Sequence, residues 1–325
     1  MTTKILAVDP RWTQPSRRAF MQQYLGEGFE LVVPDSFERE RLLREAETAS
    51  ALVTAQEPIT AEMIAVAPHL RVVGKVGTGV DSIDVAAATA AGIPVAHSPG
   101  WMRATPVAEH VFTLMLMLAR RPWLWRGQAS HPLHIALEGA TLGIVGLGEI
   151  GQRVARRGAA FGMTVLAFTR TRGKFRPVGF SIEETETLEA FLPRADFVVL
   201  TLPLTAETRG LIGARELVLM KPSAFLVNVS RGKHVVTDAL VGALGAGQLA
   251  GAGLDVTDPE PLPADHPLRE MSNVVLSPHV AAHSERTQRE SYRLLCESIR
   301  LAIAGKRVQS LANPEIYSGG APTLP

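Results

Sequence analysis

The chain has 325 residues, of which 46% are hydrophobic and 20% are charged, and its formal net charge is +1. Its length and apolar fraction predict about two domains with sizeable cores, and the near-neutral charge argues against nucleic acid or an anionic membrane as a partner. The single cysteine, Cys296, excludes a disulfide framework and any cysteine-based metal site.

The chain shows no targeting or membrane-spanning pattern. Its first residues run into polar residues too soon for a secretory signal. The most apolar segment, Val111–Ala119, is far shorter than the roughly 20 residues that span a bilayer, and charged residues flank it. We therefore expect a cytoplasmic protein.

Short β-branched runs alternate with helical patterns in the first third of the chain. The candidate strands are Lys4–Val8, Phe29–Val33, Ala51–Thr54, Arg71–Val76 and Pro94–Ala96. The candidate helices between them lie near Arg17–Leu25, Glu38–Ala49, Thr60–Ala67 and Ile83–Ala91. This alternation predicts a parallel sheet wrapped by helices.

A second series follows a connecting helix at Thr105–Ala119. It has six candidate strands, namely Thr141–Val145, Thr164–Phe168, Phe197–Leu200, Ala224–Asn228, Gly251–Leu254 and Val274–Leu276. Six such strands separated by helices are typical of a doubly wound dinucleotide-binding domain. A final helix, Ser284–Ala304, is long enough to return to the first series.

These patterns together predict an α/β protein with two doubly wound parallel-sheet domains. One domain is expected to be discontinuous, made of residues 1–100 plus 285–325, and the other to span residues 101–284. We expect the active site in a cleft between the two domains.

The most informative stretch of the second series is a strand that runs into three spaced glycines and then a helix. Gly146 permits a tight turn, Gly148 lets the backbone approach a pyrophosphate, and Gly151 lets helix and strand pack closely. The N–H groups at the helix start then face the negative charge. The alternative, a glycine-rich turn that binds nothing, is disfavoured by the strand before the motif and the helix after it.

A second glycine-rich turn, Val76–Asp81, follows a strand of the first series but lacks the third glycine. Its pattern fits a plain strand-to-helix turn and fits equally well a nest of backbone N–H groups for a substrate anion.

The end of the second Rossmann strand bears on which cofactor binds. NAD-binding domains usually place a carboxylate there for the ribose 2′-hydroxyl, but this chain has Thr169, Arg170 and Arg172 instead. A hydroxyl followed by basic side chains attracts a 2′-phosphate. The sequence therefore favours NADP over NAD, which stays the alternative cofactor.

Three polar residues follow successive strands of the second series, on the side where ligands bind in open α/β sheets. Arg231 can hold a carboxylate and polarise the adjacent carbonyl, and His279 can donate a proton near neutral pH. Glu260 can orient the histidine and favour its protonated form. Each alone is compatible with a structural role, but their joint placement predicts hydride transfer to a ketone. The histidines show no metal-ligand spacing, and we expect no metal.

The chain resembles the D-isomer-specific 2-hydroxyacid dehydrogenases from Lys4 to about Asn313. The motifs that carry the resemblance are Val76-Gly-Thr-Gly-Val-Asp-Ser-Ile-Asp84, Val107-Ala-Glu-His110, Thr141-Leu-Gly-Ile-Val-Gly-Leu-Gly-Glu-Ile-Gly151, Leu202-Pro-Leu-Thr-Ala-Glu-Thr208, Asn228-Val-Ser-Arg-Gly232, Leu254-Asp-Val256 with Pro259-Glu-Pro261, and Pro278-His279.

The resemblance implies an NAD(P)-dependent reductase of 2-oxo acids with a flavodoxin-like substrate domain and a Rossmann domain. It implies that Arg231 binds substrate, that Glu260 pairs with the acid–base His279, and that Thr78 and Gly79 donate backbone N–H groups to the substrate carboxylate. It also implies that Asp255 contacts the nicotinamide carboxamide. The remaining expected cofactor contacts are Gly146, Leu147, Gly148, Glu149, Ile150, Gly151, Thr169, Arg170, Arg172, Leu202, Pro203, Thr208, Val229 and Ser230.

Within the family, Phe168-Thr-Arg-Thr-Arg172 is similar to the NADP-preferring glyoxylate/hydroxypyruvate reductases. The main hypothesis is therefore reduction of a small 2-oxo acid to its D-2-hydroxy acid with NADPH. The alternatives are a bulkier 2-oxo acid as substrate and a non-catalytic, dinucleotide-sensing corepressor-like protein. The resemblance also implies a homodimer formed through the 105–119 helix.

Overall fold

The computed structural model describes residues 2–124 and 134–317. Within these residues the chain forms two compact units. The first unit joins the residues up to Met102 to those from Ser284 onward, and the second unit runs from Arg103 to His283.

The elements of the described residues are named here in chain order. The strands are β1 Thr3–Ala7, β2 Phe29–Val32, β3 Ala51–Thr54, β4 Val72–Lys75, β5 Val95–His97, β6 Thr141–Val145, β7 Thr164–Phe168, β8 Glu183–Thr185, β9 Phe197–Leu200, β10 Phe225–Asn228, β11 Gly251–Leu254 and β12 Val274–Leu276. The α-helices are α1 Pro15–Leu25, α2 Arg39–Ala46, α3 Ala61–Ala65, α4 Val85–Ala90, α5 Gly100–Arg120, α6 Glu149–Ala160, α7 Leu188–Phe191, α8 Ala214–Leu219, α9 Thr237–Gly245 and α10 Glu285–Ile303.

The first unit is a parallel sheet in the order β2-β1-β3-β4-β5, which is the flavodoxin-like order. Helix α10 packs on β4 at Gly74, where an added Cβ would lie 2.5 Å from Leu295 Cδ1. The same helix contributes Tyr292, Cys296 and Ile299 to a core cluster with residues of β1, β3 and β4. The last long helix therefore completes the unit that the first residues begin.

The second unit is a parallel sheet in the order β12-β11-β10-β9-β6-β7-β8, with the Rossmann switch point between β9 and β6. This order confirms the predicted α/β fold, but the predicted set of six strands was incomplete because it omitted β8. That strand has only three residues, and two of them are glutamates, which are depleted in strands. Its edge position lets Glu183 pair with Arg194 in solvent, so the strand needs no apolar pattern.

Helix α5 is longer than the predicted 105–119 helix because its first turn begins at Gly100. Pro106 lies inside this helix, and a proline normally marks a helix start or break in sequence-based prediction. Further along, Leu114 and Leu118 pack over Gly253 of β11, where an added Cβ would lie 3.0 Å from Leu114 Cβ. The absence of a side chain at Gly253 thus lets α5 approach the sheet closely.

Candidate active site

The glycine turn after β6 has the backbone shape that the motif requires. Gly146 has φ 98°, a conformation that L side chains rarely adopt. An added Cβ at Gly151 would lie 2.0 Å from Gly146 O, so the start of α6 can approach the turn only with glycine there. A Cβ at Gly148 would meet no protein atom within 4 Å, so this point of the turn faces open space.

Two residues that sequence analysis did not single out hold this turn in shape. Thr201, at the end of β9, donates its hydroxyl to Gly146 O at 2.7 Å. Gln152 donates its side-chain amide to Leu147 O at 3.0 Å. Helix α6 begins at Glu149, and its first N–H groups therefore point toward the open side of Gly148. We call this arrangement the glycine cradle; free N–H groups at a helix start are suited to an anion.

The end of β7 places Thr169 in a half-buried position and Arg170 in an exposed one. A hydrogen bond from the Thr205 hydroxyl is the largest of the effects that lower the pKa of Glu207, and the nearby charge of Arg170 adds to it. Arg172 instead forms an ion pair with Glu186, beyond β8. The structure thus gives the two predicted arginines different surroundings.

A neighbouring loop carries Pro203 and Thr208, which were also predicted to contact the cofactor. The Thr208 hydroxyl donates to Pro203 O at 2.9 Å and accepts from Thr205 N at 2.7 Å. His234, which is fully buried, has Nε2 at 3.3 Å from Pro203 O and Nδ1 at 3.1 Å from Arg231 O. His234 therefore links the predicted cofactor loop to the predicted substrate loop, although its position in the sequence offered no signal.

The loop after β10 is held by its own side chains. Asn228 donates its amide to Arg231 O at 2.8 Å and accepts from Ser230 N at 3.1 Å. The Ser230 hydroxyl donates to Leu200 O at 3.0 Å, which anchors the loop to β9. Val229 between them is buried. The backbone at Arg231 is therefore held by Asn228 within the loop and, through Ser230, by the end of β9.

The loops after β10 and β11 are in close contact. An added Cβ at Gly232 would lie 2.0 Å from Thr257 O, so only glycine allows the two backbones to approach this closely. Thr237 donates its hydroxyl to Asp258 O at 2.6 Å and holds the second loop in place. Glu260 lies further along that loop.

His279 and Glu260 form the pair that the sequence predicted. Their side chains meet at 2.6 Å between Nδ1 and Oε1, and each is about one-third exposed. Because Nδ1 donates to the carboxylate, the opposite ring nitrogen, Nε2, is the one directed away from Glu260. His279 itself has φ 55°, one of the two positive values among the non-glycine residues described.

A hydrogen-bond network centred on the buried Asp255 holds the turn that contains His279. Asp255 is 1% exposed, and its carboxylate accepts from Ser277 Oγ at 2.6 Å, Val280 N at 2.9 Å and Ala281 N at 2.9 Å. His110 Nε2 lies 2.8 Å from Ser277 Oγ and 3.4 Å from Asp255 Oδ1. Burial acts to raise the pKa of Asp255, but these hydrogen bonds outweigh burial and lower it to about 2.

Neither His110 nor Ser277 was predicted to act at this site. The expected contact between Asp255 and the nicotinamide carboxamide stays a prediction, and the contacts seen for its carboxylate lie inside the second unit.

In the first unit, the turn after β4 carries Thr78, which is exposed, and Gly79, which is half-buried. Gly77 has φ 154°, and its carbonyl accepts from Ser98 N at 2.8 Å. The turn is therefore hydrogen-bonded to the residue that follows β5. Thr78 and Gly79 come next and lie at the carboxyl edge of the sheet, and backbone N–H groups in turns of this kind form nests that are suited to anions.

Among residues 2–124 and 134–317, no three His, Cys, Asp or Glu side chains are grouped so that they could hold a metal ion. Across the same residues, no helix has both the length and the apolar character needed to cross a membrane.

Comparison with known proteins gives consistent matches. A family model for the NAD-binding domain of D-isomer specific 2-hydroxyacid dehydrogenases matches residues 107–281. A glyoxylate reductase of Thermococcus gammatolerans is 40% identical over 310 residues, which cover 90% of this chain and 92% of that protein. A glyoxylate reductase of Pyrococcus furiosus is 39% identical over 293 residues, which cover 86% of each chain.

Solved structures match over the same length. The NADPH-dependent glyoxylate/hydroxypyruvate reductase of Sinorhizobium meliloti, crystallised with NADP and malonate, is similar with a TM-score of 0.84 and 30% identity. That match covers 97% of this chain and 98% of the other.

Proposed function

Since the chain belongs to the D-isomer-specific 2-hydroxyacid dehydrogenase family, we propose that it reduces a small 2-oxo acid of the glyoxylate or hydroxypyruvate type with NADPH. The product is the D-2-hydroxy acid. The observation that carries this proposal is the His279–Glu260 pair, which lies at the carboxyl end of the same sheet as the glycine cradle.

The glycine turn fits a dinucleotide. The open side of Gly148 and the N–H groups at the start of α6 are suited to a pyrophosphate. The proposed contacts of the dinucleotide also include the neighbours of Gly148 in the sequence, Leu147, Glu149 and Ile150. Further proposed contacts lie in other loops, at Leu202–Pro203, Thr208 and Val229–Ser230. When bound, the reduced nicotinamide supplies a hydride to C2 of the substrate.

We propose NADP as the preferred cofactor because the end of β7 carries no carboxylate. Thr169 and Arg170 are the proposed partners of the 2′-phosphate, and the exposure of Arg170 supports that role. Arg172 is the weaker candidate because its guanidinium already pairs with Glu186. The S. meliloti reductase crystallised with NADP adds support from a relative.

Arg231 and His279 are proposed to have different roles in the reduction of the 2-oxo acid. The guanidinium of Arg231 binds the substrate carboxylate and polarises the C2 carbonyl, which becomes negatively charged as C2 accepts the hydride. His279 donates a proton from Nε2 to that oxygen, which yields the hydroxyl group. Glu260 keeps Nδ1 protonated and fixes the ring orientation. A proton from solvent then restores Nε2.

The turn at Thr78 and Gly79 is proposed to donate its backbone N–H groups to the substrate carboxylate. This proposal gives the first unit a share in substrate binding, beside the roles of Arg231, His279 and the dinucleotide contacts of the second unit. The protein is further proposed to act in the cytoplasm as a homodimer that forms through the 105–119 part of α5.

The test is a steady-state assay of NADPH and NADH oxidation with glyoxylate, hydroxypyruvate, pyruvate and an aromatic 2-oxo acid. We expect turnover with the small acids and a higher kcat/KM with NADPH than with NADH. Turnover restricted to the aromatic acid would replace the substrate class. Tight NADPH binding without turnover on any acid would refute the enzyme and favour the corepressor-like alternative.

A further inference from the structure

We propose that His110 is a positioning residue that acts through Ser277 and Asp255 on the backbone turn at His279. The inference rests on the proposed function of His279 as proton donor. It assigns a role to a histidine on α5 that the proposed function does not use.

The packing of α5 on β11 determines where His110 lies. His110, Leu114 and Leu118 are spaced four residues apart and therefore lie on one face of α5. Leu114 and Leu118 pack over Gly253, as described above. Asp255 follows Gly253 by two residues, so the turn of α5 that precedes Leu114 reaches the end of β11. His110 is thus held over Asp255 by the register of a helix on a strand.

The direction of the hydrogen bonds follows from proton count. Ser277 has one hydroxyl proton, and that proton is donated to Asp255 Oδ1 at 2.6 Å. The hydroxyl oxygen must then accept the contact from His110, so Nε2 of His110 carries a proton at 2.8 Å from Ser277 Oγ. His110 therefore orients the Ser277 hydroxyl toward the carboxylate. Its side chain is only 18% exposed, so little water competes for that contact.

Asp255 in turn holds three consecutive residues of the turn. Its backbone carbonyl accepts from His279 N at 2.8 Å, and its carboxylate accepts from Val280 N and Ala281 N at 2.9 Å each. His279 has φ 55°, which is strained for a residue with a side chain and persists only when its surroundings enforce it. The Asp255 contacts provide that enforcement, and His110 with Ser277 fixes the orientation of the Asp255 carboxylate.

The first experiment compares His110→Leu with His110→Gln. Leucine removes the N–H donor but still fills space on α5 with an apolar side chain. Glutamine keeps an N–H donor near the position of Nε2. We expect His110→Leu to lower kcat for glyoxylate about tenfold with KM nearly unchanged, because a misplaced proton donor affects the chemical step more than binding. We expect His110→Gln to restore most of kcat.

Ser277→Ala removes the hydroxyl group through which His110 is proposed to act on Asp255. This variant replaces His110→Leu in the test if His110→Leu fails to fold. We expect a similar loss of kcat, and we expect the double variant His110→Leu/Ser277→Ala to be no worse than either single variant, since both act on one contact. Additive losses would mean that His110 acts by another route and would overturn the proposal.

The second experiment measures the environment of the His279 ring directly and needs no activity assay. Protein with ¹³C-labelled histidine shows the His279 ring signal, which is assigned by its absence from His279→Gln. We expect this signal to shift in His110→Leu and to keep its place in His110→Gln. An unchanged His279 signal in His110→Leu overturns the proposal whatever happens to kcat. If no 2-oxo acid is turned over, the proposed function fails while this measurement still decides the role of His110.

Discussion

Substitution of Gly148 by alanine separates cofactor binding from folding. The structure places this residue at the N-terminal boundary of α6 with φ −74°, a value that alanine adopts without strain. No protein atom lies within 4 Å of the added methyl group. If a pyrophosphate lies against this backbone, as we propose, the methyl group occupies its space.

The expected magnitudes differ for the two properties. Alanine is a poorer helix N-cap than glycine, which costs up to ~1 kcal/mol, and it reduces the freedom of the unfolded chain, which offsets about 0.4–1 kcal/mol. The stability of the free protein should therefore change by less than ~1 kcal/mol. The Kd for NADPH should rise at least tenfold, equivalent to ~1.4 kcal/mol of binding free energy.

Fluorescence titration with NADPH and thermal unfolding of the free protein measure the two effects. The matched control is Gly242→Ala in α9, where an added Cβ also meets no atom within 4 Å. That variant should gain up to ~1 kcal/mol of stability from helix propensity and bind NADPH normally. Gly151→Ala should lose both properties, because its Cβ would lie 2.0 Å from Gly146 O. Wild-type affinity in Gly148→Ala would refute the proposed pyrophosphate position.

Three further outcomes are expected. His279→Ala should lower kcat at least ~100-fold in the NADPH assay because it removes the proposed proton donor, and a near-normal kcat would remove His279 from that role. Arg170→Ala should raise the KM for NADPH and leave that for NADH unchanged, whereas equal effects on both would exclude a 2′-phosphate contact. Burial raises the pKa of the Cys296 thiol to about 12, so at pH 8 a disulfide reagent should modify it only in urea; rapid modification of the native protein would contradict this.

Much of the candidate site was predictable because parallel strands bring their carboxyl ends to one edge of a sheet. The Gly146–Gly151 motif follows β6 directly, and Arg231, Glu260 and His279 follow three strands that are neighbours in the sheet. Their approximate convergence thus needs only strand positions and strand order. The 2.6 Å contact between His279 and Glu260 is the closest agreement between prediction and structure.

What sequence analysis missed depends on contacts between distant parts of the chain. Strand β8 is an edge strand in which Glu183 pairs with Arg194 and Glu184 accepts from Gly173 N at the surface, so it lacks the apolar pattern on which strand prediction relies. The link between His110 and Ser277 joins residues 167 positions apart. It depends on Gly253, which admits α5 to the sheet. A histidine among apolar residues on a helix gives no sign of such a partner.

The completion of the first unit by α10 reverses the order in which the two units can mature during translation. Ile303, the last residue of α10, is made about 200 residues after Met102, which is about 10–40 s of synthesis at ~5–20 residues per second. The second unit ends at His283 and is complete before α10 has left the ribosome. Meanwhile the apolar face of Ile5, Val53 and Val72 lacks the helix that will cover it. The nascent first unit is therefore the part of the chain that depends most on protection from aggregation.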